Sequence, residues 1–138
     1  MARRLLAVPA LAFVLAGCGG SSSQLTAKSL KKEVEAVQAL AAEGALLADG
    51  AARGRTLGTF TRTHAQDLAT PAETASRTLR GAQAPPALDP KRRAALFLAA
   101  RVDASLTELG QSVSRERARL IARTLHAADQ KLGELAAQ

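Results

Sequence analysis

From Leu25 onward the apolar residues recur at alternating steps of three and four, and about half of them are alanine. Of the 121 residues from Cys18 to Gln138, 27 are alanine, while Leu, Ile, Val and Phe together number 24. Three-four spacing lines apolar residues along one face of a helix. Alanine is the strongest helix former, but its methyl group buries little area. Such a chain gains stability by bringing helix backbones close together, giving a thin, tightly packed core. No segment alternates with the period of two that marks a half-buried strand. The fold class expected is all-α.

Four stripes can be followed. Leu30, Val34, Val37, Ala41, Gly44, Ala48 and Ala51 define a helix over about 25–52, with Leu40 and Leu47 flanking. Leu57, Phe60, His64, Leu68, Ala72, Ala75 and Leu79 define a second over about 57–81. Thr70-Pro71-Ala72-Glu73 falls inside it and has the form of a helix start, with Thr70 as N-cap, Pro71 at the first position and Glu73 completing a capping box. A kink or restart is expected near Pro71. Pro85-Pro86 marks a linker, after which Asp89-Pro90 starts a third helix by the same logic. This helix, over about 90–109, carries Ala95, Leu98, Val102, Leu106 and Leu109. A fourth, over about 114–136, carries Ala118, Ile121, Leu125, Ala128, Leu132 and Leu135. Short connections between amphipathic helices of this length predict one domain, residues 25–138, folded as an antiparallel up-down-up-down four-helix bundle. A dimerising pair of helical hairpins, or three helices with the region after Pro71 apart, are the alternatives.

The N-terminus has different chemistry. Arg3 and Arg4 precede an apolar run from Leu5 to Leu15, followed by Ala16, Gly17 and Cys18. The run is about eleven residues, short of the roughly 20 that span a bilayer as a helix, and has the layout of an export signal. Leu15-Ala16-Gly17-Cys18 resembles the lipobox of bacterial lipoproteins, and the chain as a whole resembles small, alanine-rich lipoproteins of the actinobacterial kind. The resemblance implies removal of residues 1–17 and a diacylglyceryl thioether on Cys18. Residues 18–24 would then be a lipidated cysteine and flexible tether. It further implies a protein held on the extracytoplasmic face of a cell membrane, with the lipid bilayer as a partner through acylated Cys18.

Composition excludes several functions. Cys18 is the only cysteine, so the domain has no disulfide framework. Phe60 and Phe97 are the only aromatics after Cys18, which argues against base-stacking nucleic-acid platforms and aromatic cages. Export argues independently against DNA. No nucleophile elbow or phosphate-binding glycine loop is present, and a non-enzyme without a cofactor is expected.

Two features remain as candidate sites. His64 and Asp67, and likewise His126 and Asp129, are three residues apart, reversed relative to the Glu-x-x-His of di-iron bundles. In an antiparallel bundle the two histidines would differ in height by roughly 8 Å, which argues against shared ligation. His64 lies on the apolar stripe, with Glu43 and Asp103 expected at a similar height. An interior ligand or metal site built from His64, Asp67, Glu43 and Asp103 is therefore the alternative function.

The second feature is charge. The chain after residue 17 carries 17 basic and 12 acidic residues. Nine bases, among them Lys28, Lys31, Lys32, Lys91, Arg92 and Arg93, fall at the expected membrane end with five acids, for a net +4; the other half is +1. Lys91-Arg92-Arg93 occupies a helix first turn, where the macrodipole disfavours cations. Anionic lipid headgroups would supply an external reason. Arg115, Arg117, Arg119 and Arg123 form a basic face at the far end, suited to an acidic envelope protein or an anionic cell-wall polymer. The function expected is a membrane-anchored, non-catalytic interaction or scaffold module at the cell envelope.

Overall fold

The computed structural model describes residues 24–138. The export signal, Cys18 and all of the tether but Gln24 lie outside the described residues. Those described form a helical bundle of α1 (Ala27–Ala52), α2 (Gly58–Gly81), α3 (Asp89–Leu109) and α4 (Arg115–Ala137). They contain no strand; one isolated bridge joins Gln24 to Gln83.

Two helices begin with side-chain caps. Thr26 caps α1 through a reciprocal box with Ser29, satisfying backbone donors that a helix start leaves open. Ser114 caps α4, accepting from the Arg117 N–H at 3.1 Å. The other two differ from expectation. Asp89 is the first residue of α3 and not its cap; Leu88 precedes it without a side-chain bond. α2 runs through Pro71 without a restart. The Thr70 hydroxyl, expected to cap a new helix, donates back to the Gln66 carbonyl at 3.3 Å. Glu73 pairs with Arg77 at 2.6 Å instead of closing a capping box. Burial of Ala72 and Ala75 in the core holds the helix continuous where the local signal favoured a break.

α1 packs most extensively on α4, and α2 on α3; α1 also touches α3, while α2 and α4 do not meet. The core stripes of α3 and α4 are buried throughout. Small residues set the spacing at mid-bundle. A Cβ added to Gly44 would lie 2.6 Å from Leu106 Cδ2 and 3.1 Å from Leu125 Cδ1, so the leucines of α3 and α4 rest on the α1 backbone.

The stripe of α2 is rotated at its start. Thr61 and Ala65 are buried, whereas Phe60 is 55% exposed and Leu57 80% exposed. α2 therefore turns small residues inward there, Thr61 at 4% and Ala65 at 0% exposure. The Thr61 hydroxyl is satisfied by the Leu57 carbonyl and by Thr56, which makes its burial tolerable.

Candidate functional site

At the end of the bundle where α1 begins, the chain enters against the α2–α3 connection. The Leu25 N–H donates to the Gln83 carbonyl at 2.8 Å, and the Leu25 side chain is buried. Lys28, Lys31 and Lys32 are exposed on the first turns of α1, with Lys31 3.9 Å from Glu35.

The neighbouring Lys91-Arg92-Arg93 run has an internal explanation. The Arg92 guanidinium is largely covered and donates to Asp89 at 2.7 Å and 3.0 Å, and to the Leu79 carbonyl at 2.9 Å. Arg93 reaches the other Asp89 oxygen at 3.1 Å. Leu79 lies in the last turn of α2, where open carbonyls favour a cation. The end of one helix thus answers the unfavourable placement of charge at the start of the next. Hydrogen bonding from Arg92, reinforced by the charges of Arg92 and Arg93, holds the Asp89 carboxyl below its ordinary value. Of the three cations only Lys91 forms no ion pair among the described residues.

The interior histidine site does not assemble. His64 is on the surface seam between α1 and α2, its side chain 35% exposed, with Nε2 2.8 Å from Glu43 Oε1. The structure brings Glu43 and His64 together but leaves Asp67 and Asp103 elsewhere. Asp67 is exposed. Asp103 accepts from the Thr107 hydroxyl at 3.4 Å, and its carboxyl is pushed up by burial and then by the charge of Glu73. Among the described residues no three His, Cys, Asp or Glu side chains gather as metal ligands do. His126 has its own partner, Asp49 of α1, at 3.0 Å. Gln38 of α1 donates to Asp129 at 3.0 Å. Both histidines therefore join α1 to a neighbouring helix through a single carboxylate.

The opposite end carries features that the stripes did not reveal. Arg117 grips Glu108 through the Nε and Nη2 edge of its guanidinium, one N–H to each carboxylate oxygen, across the α3–α4 turn; the bond holds Glu108 below its ordinary value and raises Arg117. Arg115 lies over Gly54, whose φ of 67° and missing side chain make room for it. Among the described residues Arg53, Arg55, Arg62, Arg115, Arg119 and Arg123 make no ion pair. Beside this basic end, Leu46 of α1 is 71% exposed, and Leu57 and Phe60 at the start of α2 are exposed as well. Leu46 stands outside the stripe read for α1, and the structure buries its neighbours Ala45 and Leu47 instead. Leu57 and Phe60 were not legible as exposed, because their spacing matches the stripe they leave.

Comparison with family models, curated proteins and solved structures finds no match.

Proposed function

We propose that this chain is a lipid-anchored, non-catalytic interaction module on the extracytoplasmic face of a bacterial membrane. In it the helices run up-down-up-down. The antiparallel course is supported by paired bonds in which numbering rises along one helix and falls along the other. Gln38 meets Asp129 and Asp49 meets His126 between α1 and α4. Gln66 meets Gly110 and Leu79 meets Arg92 between α2 and α3.

The observation that carries the reading is the Gln24–Gln83 bridge. It ties the chain, six residues after Cys18, to the end formed by the start of α1 and the α2–α3 connection. Six Gly- and Ser-rich residues reach about 13 Å on average, so acylation at Cys18 would hold this end at the bilayer. Lys28, Lys32 and Lys91 belong to it, and each lysine near an anionic surface is worth about 1 kcal/mol.

The test is Cys18→Ala in cells given a labelled fatty acid. Loss of both the label and the membrane fraction is expected. An unlabelled wild-type protein, or unchanged membrane retention of the variant, refutes the anchor. Vesicle binding by the Cys18→Ala chain then tests the lysines. Binding to anionic vesicles should fall with Lys28→Glu and Lys91→Glu, whereas Arg92, occupied internally, should contribute little.

A further inference from the structure

We infer that the α1–α2 end of the bundle docks an acidic amphipathic helix of another envelope protein. The inference rests on the interaction-module function proposed above and names its surface and its partner's chemistry.

The surface is built from two faces laid side by side. On α1, Glu43, Leu46 and Gly50 follow one another at helical spacing. On α2, Leu57, Phe60 and His64 do the same. The Glu43–His64 bond of 2.8 Å joins the two faces. The Phe60 ring stacks on the imidazole, with centroids 5.5 Å apart and planes 16° from parallel. Leu46 on one face and Leu57 and Phe60 on the other thus lie on adjoining helices, comprising three of the five large apolar side chains exposed among the described residues. Clustered apolar exposure marks interaction surfaces, whereas scattered exposure does not.

The surface is also held rigidly. Gly54 turns the connection with a positive φ. The Arg55 N–H donates to the Gly50 carbonyl at 2.8 Å. The Thr56 methyl lies where a Gly50 side chain would be, and the Thr56 and Thr61 hydroxyls are 2.9 Å apart. A partner therefore meets a surface that has little left to order, which favours affinity.

Charge selects the occupant. Arg53 and Arg55, exposed in the connection, have no acidic partner among the described residues. The first turn of α2 has no acid and no side-chain cap, leaving its positive dipole end unanswered. A second copy of this surface would set arginines against arginines. The bilayer lies at the other end under the proposed anchoring. An apolar stripe flanked by Asp and Glu satisfies both the leucines and the arginines, by the helix-in-groove mode of recognition.

The experiment uses the full chain in detergent and two labelled helical probe peptides. Both peptides carry the same leucine stripe, flanked by Glu in one and by Lys in the other. The Glu peptide should bind, weaken as salt is raised, and lose at least tenfold in affinity with Leu57→Ser. Arg53→Glu combined with Arg55→Glu should have a comparable effect. Phe97→Ser, a comparable exposed residue elsewhere, should leave binding unchanged. Leu46→Ser provides a second test of the surface if Leu57→Ser lowers the melting temperature. Equal binding of the two peptides, or full affinity in the leucine variants, overturns the inference. Self-association abolished by Leu57→Ser overturns it in favour of a second copy. Vesicle binding abolished by the same substitution overturns it in favour of lipid. None of these outcomes depends on Cys18, so failure of the anchor in the labelling experiment remains distinguishable.

Discussion

Gly44 is where the thin core makes its sharpest demand. In Gly44→Ala two effects oppose each other. Alanine in a helix interior is favoured over glycine by about 1 kcal/mol. Against this, the new Cβ would sit 2.6 Å from Leu106 Cδ2 and 3.1 Å from Leu125 Cδ1. Both leucines are fully buried and have little free volume to retreat into. Overpacking of this kind costs about 1–3 kcal/mol, so the clash should win by about 1 kcal/mol, lowering the melting temperature by about 4 °C.

A double-mutant cycle tests the cause. Leu106→Ala alone should cost about 2–5 kcal/mol, as truncation of a buried leucine does. In that background the closest contact is gone, and Gly44→Ala should instead stabilise by up to about 1 kcal/mol. The coupling is therefore about 2 kcal/mol, well above the scatter of independent sites. Urea denaturation of the four proteins measures it. If Gly44→Ala has the same effect with and without Leu106, close approach of α3 to α1 does not explain the glycine. Gly81, around which a Cβ would meet nothing within 4 Å, is the control; alanine there should be neutral or mildly stabilising.

Arg92→Met should cost about 1–3 kcal/mol by urea denaturation, because it strips charge-assisted bonds from Asp89 and leaves the Leu79 carbonyl with one partner fewer. A loss of vesicle binding without a loss of stability would contradict the internal role. Acid should destabilise the fold. Asp89 and Glu108 have carboxyls held below their ordinary values of 3.8 and 4.5, so their contribution is complete above those values and is lost as pH falls through the lower folded ones. Asp89→Asn together with Glu108→Gln should flatten that decline in a pH series of melts. Asp103 has the opposite sign, since its carboxyl is raised above 3.8 and its charge opposes folding at neutral pH. Asp103→Asn should therefore leave stability unchanged or slightly higher at pH 7, and a clear loss would show a favourable partner for the carboxylate.

Much of the fold was legible because it is local. Large residues at three-four spacing in α3 and α4 can point only one way without exposing leucine or isoleucine, and both stripes are buried as spaced. Thr26 and Ser114 cap helices with bonds made within three residues. At the candidate sites the same local logic misled. His64 and Phe60 carry the spacing of a core stripe, but in the bundle Thr61 and Ala65 take the inward positions of α2. Thr70-Pro71 has every mark of a helix start, yet flanking core contacts carry the helix through it. The arginines after Pro90 looked misplaced beside their own helix dipole, and it is the end of α2 that accommodates them.

From the residues alone it was legible that the chain is helical, where most helices begin and end, and that its core is rich in alanine beside its leucines. These follow from propensity, capping and periodicity, which act over three or four residues. Packing of the helices settled which face of α2 turns inward, which carboxylate each histidine meets, and which cations remain unpaired. Those choices depend on volumes and charges supplied by other helices. Where 12 of the 27 buried apolar residues among those described are alanine, competing helix faces differ too little in apolar area for any one segment to specify its own.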